Sequence, residues 1–186
     1  MRDFKKFKRI DNMKSHNDGN RTLFESIAFP EVETTLKDWI SLNIEKYVLI
    51  GDVALSFYIK PRTTQDIDVL FLMNEDIPQN LNGFKKSRAH AFLHTQTHVE
   101  VEVLTPDFLN ISFELAEKII ETSIINDNIK IASPSGLVAS KLNRFSLQDK
   151  ADIEQLLLTQ NINMSQFPLT ENQLKNYKEM INYIKK

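Results

Sequence analysis

Asp66 and Asp68 stand one residue apart in the apolar run QDIDVLFLM (65–73), among Ile67, Val69, Leu70 and Phe71. On a strand, side chains two apart share a side, with roots roughly 7 Å apart. At an effective dielectric near 20, two unit charges at that distance repel by about 2.4 kcal/mol. A fold gains nothing from such a pair unless something offsets the repulsion, and a divalent cation does so most directly, taking oxygen from carboxylates, water and phosphates. Such cations clamp the attacking and leaving oxygens in phosphoryl or nucleotidyl transfer. A third carboxylate is offered by VEVEVL (99–104), at Glu102 or, as the alternate, Glu100. It would bind metal or act as general base toward a hydroxyl. Taken alone, the aspartate pair reads equally well as two solvated residues on an edge strand.

The elements that must hold these groups follow from the pattern around them. YVLI (47–50) reads as a short buried strand stopped by Gly51, and 53–59 as a short helix closed by Pro61. A strand, a glycine and a helix start present backbone N–H groups where phosphate binds. No Walker loop and no G-x-G-x-x-G occurs. Upstream, Pro30 opens an expected helix with Val32, Leu36, Trp39 and Ile40 on one face. Downstream, Pro78, Asn80 and Gly83 fall in a loop, and TQT (95–97) reads as a three-residue turn joining strands 89–94 and 98–104. Alternation then sends Ala91, Leu93, Val99, Val101 and Val103 to the core. His90, Phe92, His94, His98, Glu100 and Glu102 take the other face. His94 would pair with His98 and His90 would fall near Glu102, an alternative transition-metal site.

A helix is expected near 112–121 and a strand at IKIA (129–132), after which Ser133 and Pro134 start another helix as N-cap and first-turn residue. SLQD (146–149) resembles a capping box and begins a helix through Leu158. Thr170 begins a last helix with Leu174, Tyr177, Ile181 and Ile184 on one face. The order predicts an α/β (α+β) fold, a small mixed β-sheet flanked by helices with a helical C-terminal part.

With 186 residues, 41% hydrophobic and 26% charged, the chain has the make-up of one globular domain with a full core. It has no cysteine, which excludes disulfides, thiolate zinc sites and a Cys nucleophile and fits a cytoplasmic protein. No apolar run approaches the ~20 residues of a membrane span, and the basic start lacks the apolar core of a secretory signal. Residues 1–21 hold seven Lys/Arg against three Asp, while the remainder holds 16 basic against 22 acidic residues. We expect 1–21 to be a basic extension, solvated or serving as an arm for a phosphate-rich partner. An α/β core at 22–132 and C-terminal helices packed on it at 133–186 follow. Oligomeric state is not legible. The twelve Phe read as core.

Ile50-Gly51, thirteen residues (53–65) and then Asp66-Ile67-Asp68-Val69 together resemble the signature of the nucleotidyltransferase fold superfamily. Arg62 and Thr64 fit its R-x-T-x-D-I-D version, which looks like the small bacterial nucleotidyltransferase-like proteins of the abortive-infection toxin type. VEVL (101–104) is similar to their third acidic strand, favouring Glu102 over Glu100, and ASPSGLVASKLNRFSLQDKADIEQLL (132–157) to their C-terminal pattern. The resemblance implies a metal-dependent nucleotidyltransferase that moves a nucleoside monophosphate from a nucleoside triphosphate to a hydroxyl on RNA, protein or a small molecule. It implies Mg²⁺ (or Mn²⁺) on Asp66 and Asp68 with Glu102 completing the site, and Gly51, Arg62, Thr64 and Lys141 near the nucleotide, with Arg144 a weaker candidate. Asp52 departs from the pattern, standing where those proteins carry Gly or Ser. It is expected to cap the helix at 53–59 instead, since its charge would repel a triphosphate by about 3–4 kcal/mol. Asp52 therefore supports an alternative, a non-catalytic binding or regulatory module such as part of a toxin–antitoxin or phage-defence pair.

Overall fold

Two apolar runs build the middle of the sheet. β1 (Tyr47–Ile50) is buried throughout, and β2 (Asp66–Phe71) is buried on both faces from Val69 onward. The computed structural model describes residues 22–60 and 64–185, so the expected extension at 1–21, the stop at Pro61 and Arg62 lie outside the described residues. β3 (Phe84–Arg88), β4 (Ala91–His94), β5 (Glu100–Leu104), β6 (Ile124–Asn126) and β7 (Ile129–Ile131) complete a seven-stranded mixed sheet of order β3-β4-β5-β2-β1-β7-β6. β2 runs parallel to β5 and antiparallel to β1, and β1 is parallel to β7. This is the mixed α/β sheet expected from the order of elements.

Helix α1 (Pro30–Ser41) starts at a first-turn proline and lays Val32, Thr35, Leu36 and Trp39 onto the sheet. Trp39 is fully buried and meets Tyr47 and Phe84 edge-on, with centroids 5.9 and 5.5 Å away. Helix α2 (Gly51–Tyr58) begins two residues earlier than expected and packs on β1, β2 and two later helices. These are α5 (Pro134–Lys141), capped by Ser133, and α6 (Leu147–Thr159), opened by a full Ser146/Asp149 capping box. The single-turn α3 (Pro106–Leu109) and α4 (Phe113–Glu121) link β5 to β6. One buried cluster runs from Leu23 to Met180.

Three expectations need correction. The first is the hairpin register. Phe92 lies opposite Val101 and Ala91 opposite Glu102, one residue away from the expected pairing. The turn takes four residues, because His98 adopts a left-handed backbone (φ 60°) and adds one to the loop. A one-residue slip turns every side chain of β4 over. Phe92 and His94 therefore face the core, while Leu93 is only partly buried, beside Glu100. The second is β3, FKKSR, which is present at the sheet edge although only Phe84 of its five residues is buried. The third is α7 (Glu171–Ile184), whose buried side centres on Gln173 and Met180 with Tyr177 partly buried, whereas Leu174 is exposed. The rotation follows from the Thr170/Gln173 capping box, which draws Gln173 inward.

Candidate active site

The acids sit where the sheet loses its cover. Positions 66, 68 and 70 of β2 share a face, as do 100, 102 and 104 of β5. Leu70 and Leu104 are buried, but Asp66 is exposed and Asp68, Glu100 and Glu102 are only partly covered. The parallel β2–β5 register sets Asp66 beside Glu100 and Asp68 beside Glu102, at the roughly 4.8 Å spacing of neighbouring strands. Because β1 runs the opposite way, its last residue, Ile50, pairs with Asp68 and delivers Gly51 and the first turn of α2 to the same place.

Gly51 is required there by contact as well as conformation. It has φ +66°, and a Cβ built on it would lie 1.8 Å from Asp68 Oδ2. The Asp68 carboxyl thus rests directly against the backbone at the start of α2. A cleft of about 580 Å³ opens in front of it. Asp52, Asp66, Asp68 and Glu102 line one side, Leu104, Phe108 and Leu109 the apolar wall, and Lys141, Arg144 and Asp149 the opposite side. Burial pushes the Asp68 carboxyl up to about 7. The charges of Asp66, Glu102 and Asp52 add to the rise, and Lys141 offsets part of it. Thr64 donates from Oγ1 to Asp66 Oδ1 at 2.7 Å and fixes that side chain.

The opposite wall is closed on itself. Asp149, fully buried, receives Arg144 Nε at 2.8 Å and Nη2 at 2.7 Å together with the Ser146 backbone N–H and hydroxyl. Burial alone would raise its pKa. The hydrogen bonds from Arg144 and Ser146 and the charge of Lys141 outweigh that and hold it at about 2. Lys141 Nζ, nearly buried, lies 2.9 Å from Asp152 and 3.6 Å from Asp149. Arg144 is raised chiefly by its hydrogen bond to Asp149. It also senses Asp68 and Asp52 across the cleft.

Asp52 does not cap α2. It lies inside the first turn, whose N-cap is Ile50 and which has no side-chain cap bond. The helix starts at Gly51, so position 52 falls too late to cap it. The cleft thus gathers Gly51, Asp52, Asp66, Asp68, Glu102 and Lys141. Glu100 is turned away, bound by Arg88 Nη2 and by Ser87 Oγ at 2.9 Å, and the hydrogen bonds from Arg88 and Ser87 hold its pKa down. Among the described residues the histidines do not gather into a metal site. His94 is buried against Phe84, with Nδ1 2.8 Å from Thr97 Oγ1 and Nε2 3.0 Å from Asp38, while His90 packs on Phe108.

Sequence reasoning missed Arg88, which reaches the acids from an edge strand, and the buried partners Asp149 and Asp152. The Asp149 signal was present in the capping box. Among the described residues no three His, Asp or Glu side chains are gathered tightly enough to hold a metal ion by themselves. The donor set instead suits a hard cation completed by phosphate and water, since Mg²⁺ needs only one or two carboxylates from a protein. Among the described residues no helix is long and apolar enough to cross a membrane. Residues 28–183 match the model of a family described as "Nucleotidyltransferase of unknown function (DUF6036)". No curated protein matches the chain.

Proposed function

The chain belongs to this nucleotidyltransferase family, and we propose that it transfers a nucleoside monophosphate from a nucleoside triphosphate to a hydroxyl acceptor in an Mg²⁺- or Mn²⁺-dependent reaction. The observation that carries this is the β2–β5 register, which sets Asp68 beside Glu102 at the mouth of the cleft. Asp66 and Asp68, with Glu102, would hold the cation. It would neutralise the triphosphate and the charge that develops on transfer. Gly51, lacking a side chain, lets the Asp68 carboxyl lie against the start of α2, and the N–H groups of that first turn would favour an anion beside it. Arg144, exposed at its outer end, is the cation nearest the phosphates on the far wall, and Lys141 lends charge from beneath it. Leu104 and Phe108 exclude water from one flank. The remaining work is alignment of acceptor and phosphate.

The test is transfer of label from each α-labelled triphosphate to RNA, protein and small-molecule fractions, with thermal shift by Mg²⁺ and triphosphate alongside. We expect a shift and transfer in the wild type and neither in Asp66→Asn/Asp68→Asn. No metal-dependent response in the wild type removes the enzymatic reading.

Asp52 favours a second reading. A fourth carboxylate in the cleft raises Asp68 further and repels a triphosphate. A member that binds without turnover, as half of a toxin–antitoxin or defence pair, would respond to Mg²⁺ and nucleotide but leave no label on any acceptor.

A further inference from the structure

Arg88 reaches Glu102 by an unusual path. The β3–β4 pairing shifts register between Lys86 and Arg88, and an extra residue at such a shift re-aims the side chains beside it. Here Ser87 and Arg88 both turn over β4 toward β5. Arg88 stands opposite Ala91, and Ala91 opposite Glu102, so the three share one face of the sheet. Ala91, the small residue between them in the pairing, is 2% exposed. Arg88 Nη2 then bonds Glu100 and lies 3.0 Å from Glu102 Oε1. Glu100, braced by Ser87 as well, is the anchor, and Glu102 shares the same nitrogen from the cleft side.

We infer that Arg88 is a positioning residue acting through Glu102, an internal counter-cation that a divalent cation must displace before Glu102 can join Asp66 and Asp68, so that Arg88 sets how much cation the cleft requires. The inference rests on the proposed function. Two positive groups compete for one carboxylate. Among the described residues, Glu102 is the one of these three acids that an Arg or Lys side chain pairs with.

Calorimetric titration of the full chain with Mn²⁺ alone, and with Mg²⁺ alone, reads this directly. Arg88→Gln should bind either cation more tightly, on the order of tenfold at low salt, because a unit positive charge beside a ligand oxygen is gone. Arg88→Lys, which keeps the charge, should stay near the wild type. In a Glu102→Gln background, Arg88→Gln should lose most of its effect, since the coupling runs through that carboxylate. Arg88→Gln binding that is unchanged or weaker overturns the inference, as does a gain of the same size in the Glu102→Gln background. If the wild type and Arg88→Gln both bind no cation, the cation-centre reading falls and takes this inference with it. If the wild type binds, Asp66→Asn/Asp68→Asn does not, and Arg88→Gln is unchanged, the site stands and only the role of Arg88 is refuted.

Discussion

Asp68 and Asp149 face the same cleft with the same carboxyl group, and their surroundings drive them in opposite directions. Asp149 is fully buried but receives two guanidinium bonds and two more from Ser146, and stays ionised down to about pH 2. Asp68 is raised first by burial and then by the charges of Asp66, Glu102 and Asp52, with Lys141 offsetting part, and its pKa stands at about 7. Burial is common to both, so partners decide the outcome. The α5–α6 wall pairs its own charges with one another. The β2–β5 rim instead brings Asp66, Asp68 and Glu102 together, the carboxylates that the proposed cation would bridge.

The largest break in this contrast lies on the satisfied side. Asp149→Asn removes the charge that Arg144 and Lys141 pair with, leaving Lys141 only Asp152, and weakens the Ser146/Asp149 capping box of α6. It should cost about 3 kcal/mol in urea unfolding at pH 7. Asp149 is lowered, so its stabilisation is present above its unfolded pKa and lost as pH falls through about 2. The cost of the substitution should accordingly fade in acid. Equal stability of the two proteins at pH 7 would mean that the wall is not self-satisfied.

On the rim, Gly51→Ala combines a left-handed backbone with a Cβ driven into the Asp68 carboxyl. We expect a loss of about 2–3 kcal/mol in thermal unfolding and the disappearance of cation binding. A neutral result would place the carboxyl away from that backbone.

Asp68→Asn should do the reverse of Asp149→Asn and stabilise the fold. A raised carboxyl contributes stability that is complete below the unfolded pKa and lost as pH rises to about 7. The gain from Asn should therefore be small near pH 4 and reach about 2 kcal/mol by pH 8, while cation binding is lost. Denaturant curves at the two pH values decide it, and a destabilised variant at pH 8 would erase the distinction between rim and wall. For the wild type, cation affinity should climb between pH 6 and 8 as Asp68 ionises. The smallest effect is expected for Thr64→Ala. It frees Asp66 from a solvent-facing hydrogen bond, so stability should change by less than about 1 kcal/mol while cation affinity falls measurably. An unaltered titration would make Thr64 a turn residue and nothing more.

Much of this was legible in the chain. Asp66 and Asp68 stand out because strand burial makes paired acids expensive, and the starts of α5, α6 and α7 because Ser133, Ser146 and Thr170 announce caps by type and spacing. Other features were hidden for physical reasons. FKKSR carries almost no apolar signal, since an edge strand is held by backbone bonds and its side chains meet water. A non-glycine residue in the left-handed region, His98, shifted the hairpin by one, and no local propensity marks it. Arg88 is invisible as a site residue because a strand irregularity brings it there. Asp52 was placed two helical positions too early, because the helix begins on a glycine that the sequence presents as a stop.

The acid-bearing strands β2 and β5 are parallel neighbours, and the whole of 72–99, including β3 and β4, lies between them. Such a pair closes only after a long excursion of the chain has been ordered. The like charges of Asp66, Asp68 and Glu102 are thus brought together in one of the least local events of folding. The same arrangement that, on the proposed function, would hold a cation also sets an electrostatic hurdle on the route to the native state, one that protons, or the ion itself, would lower.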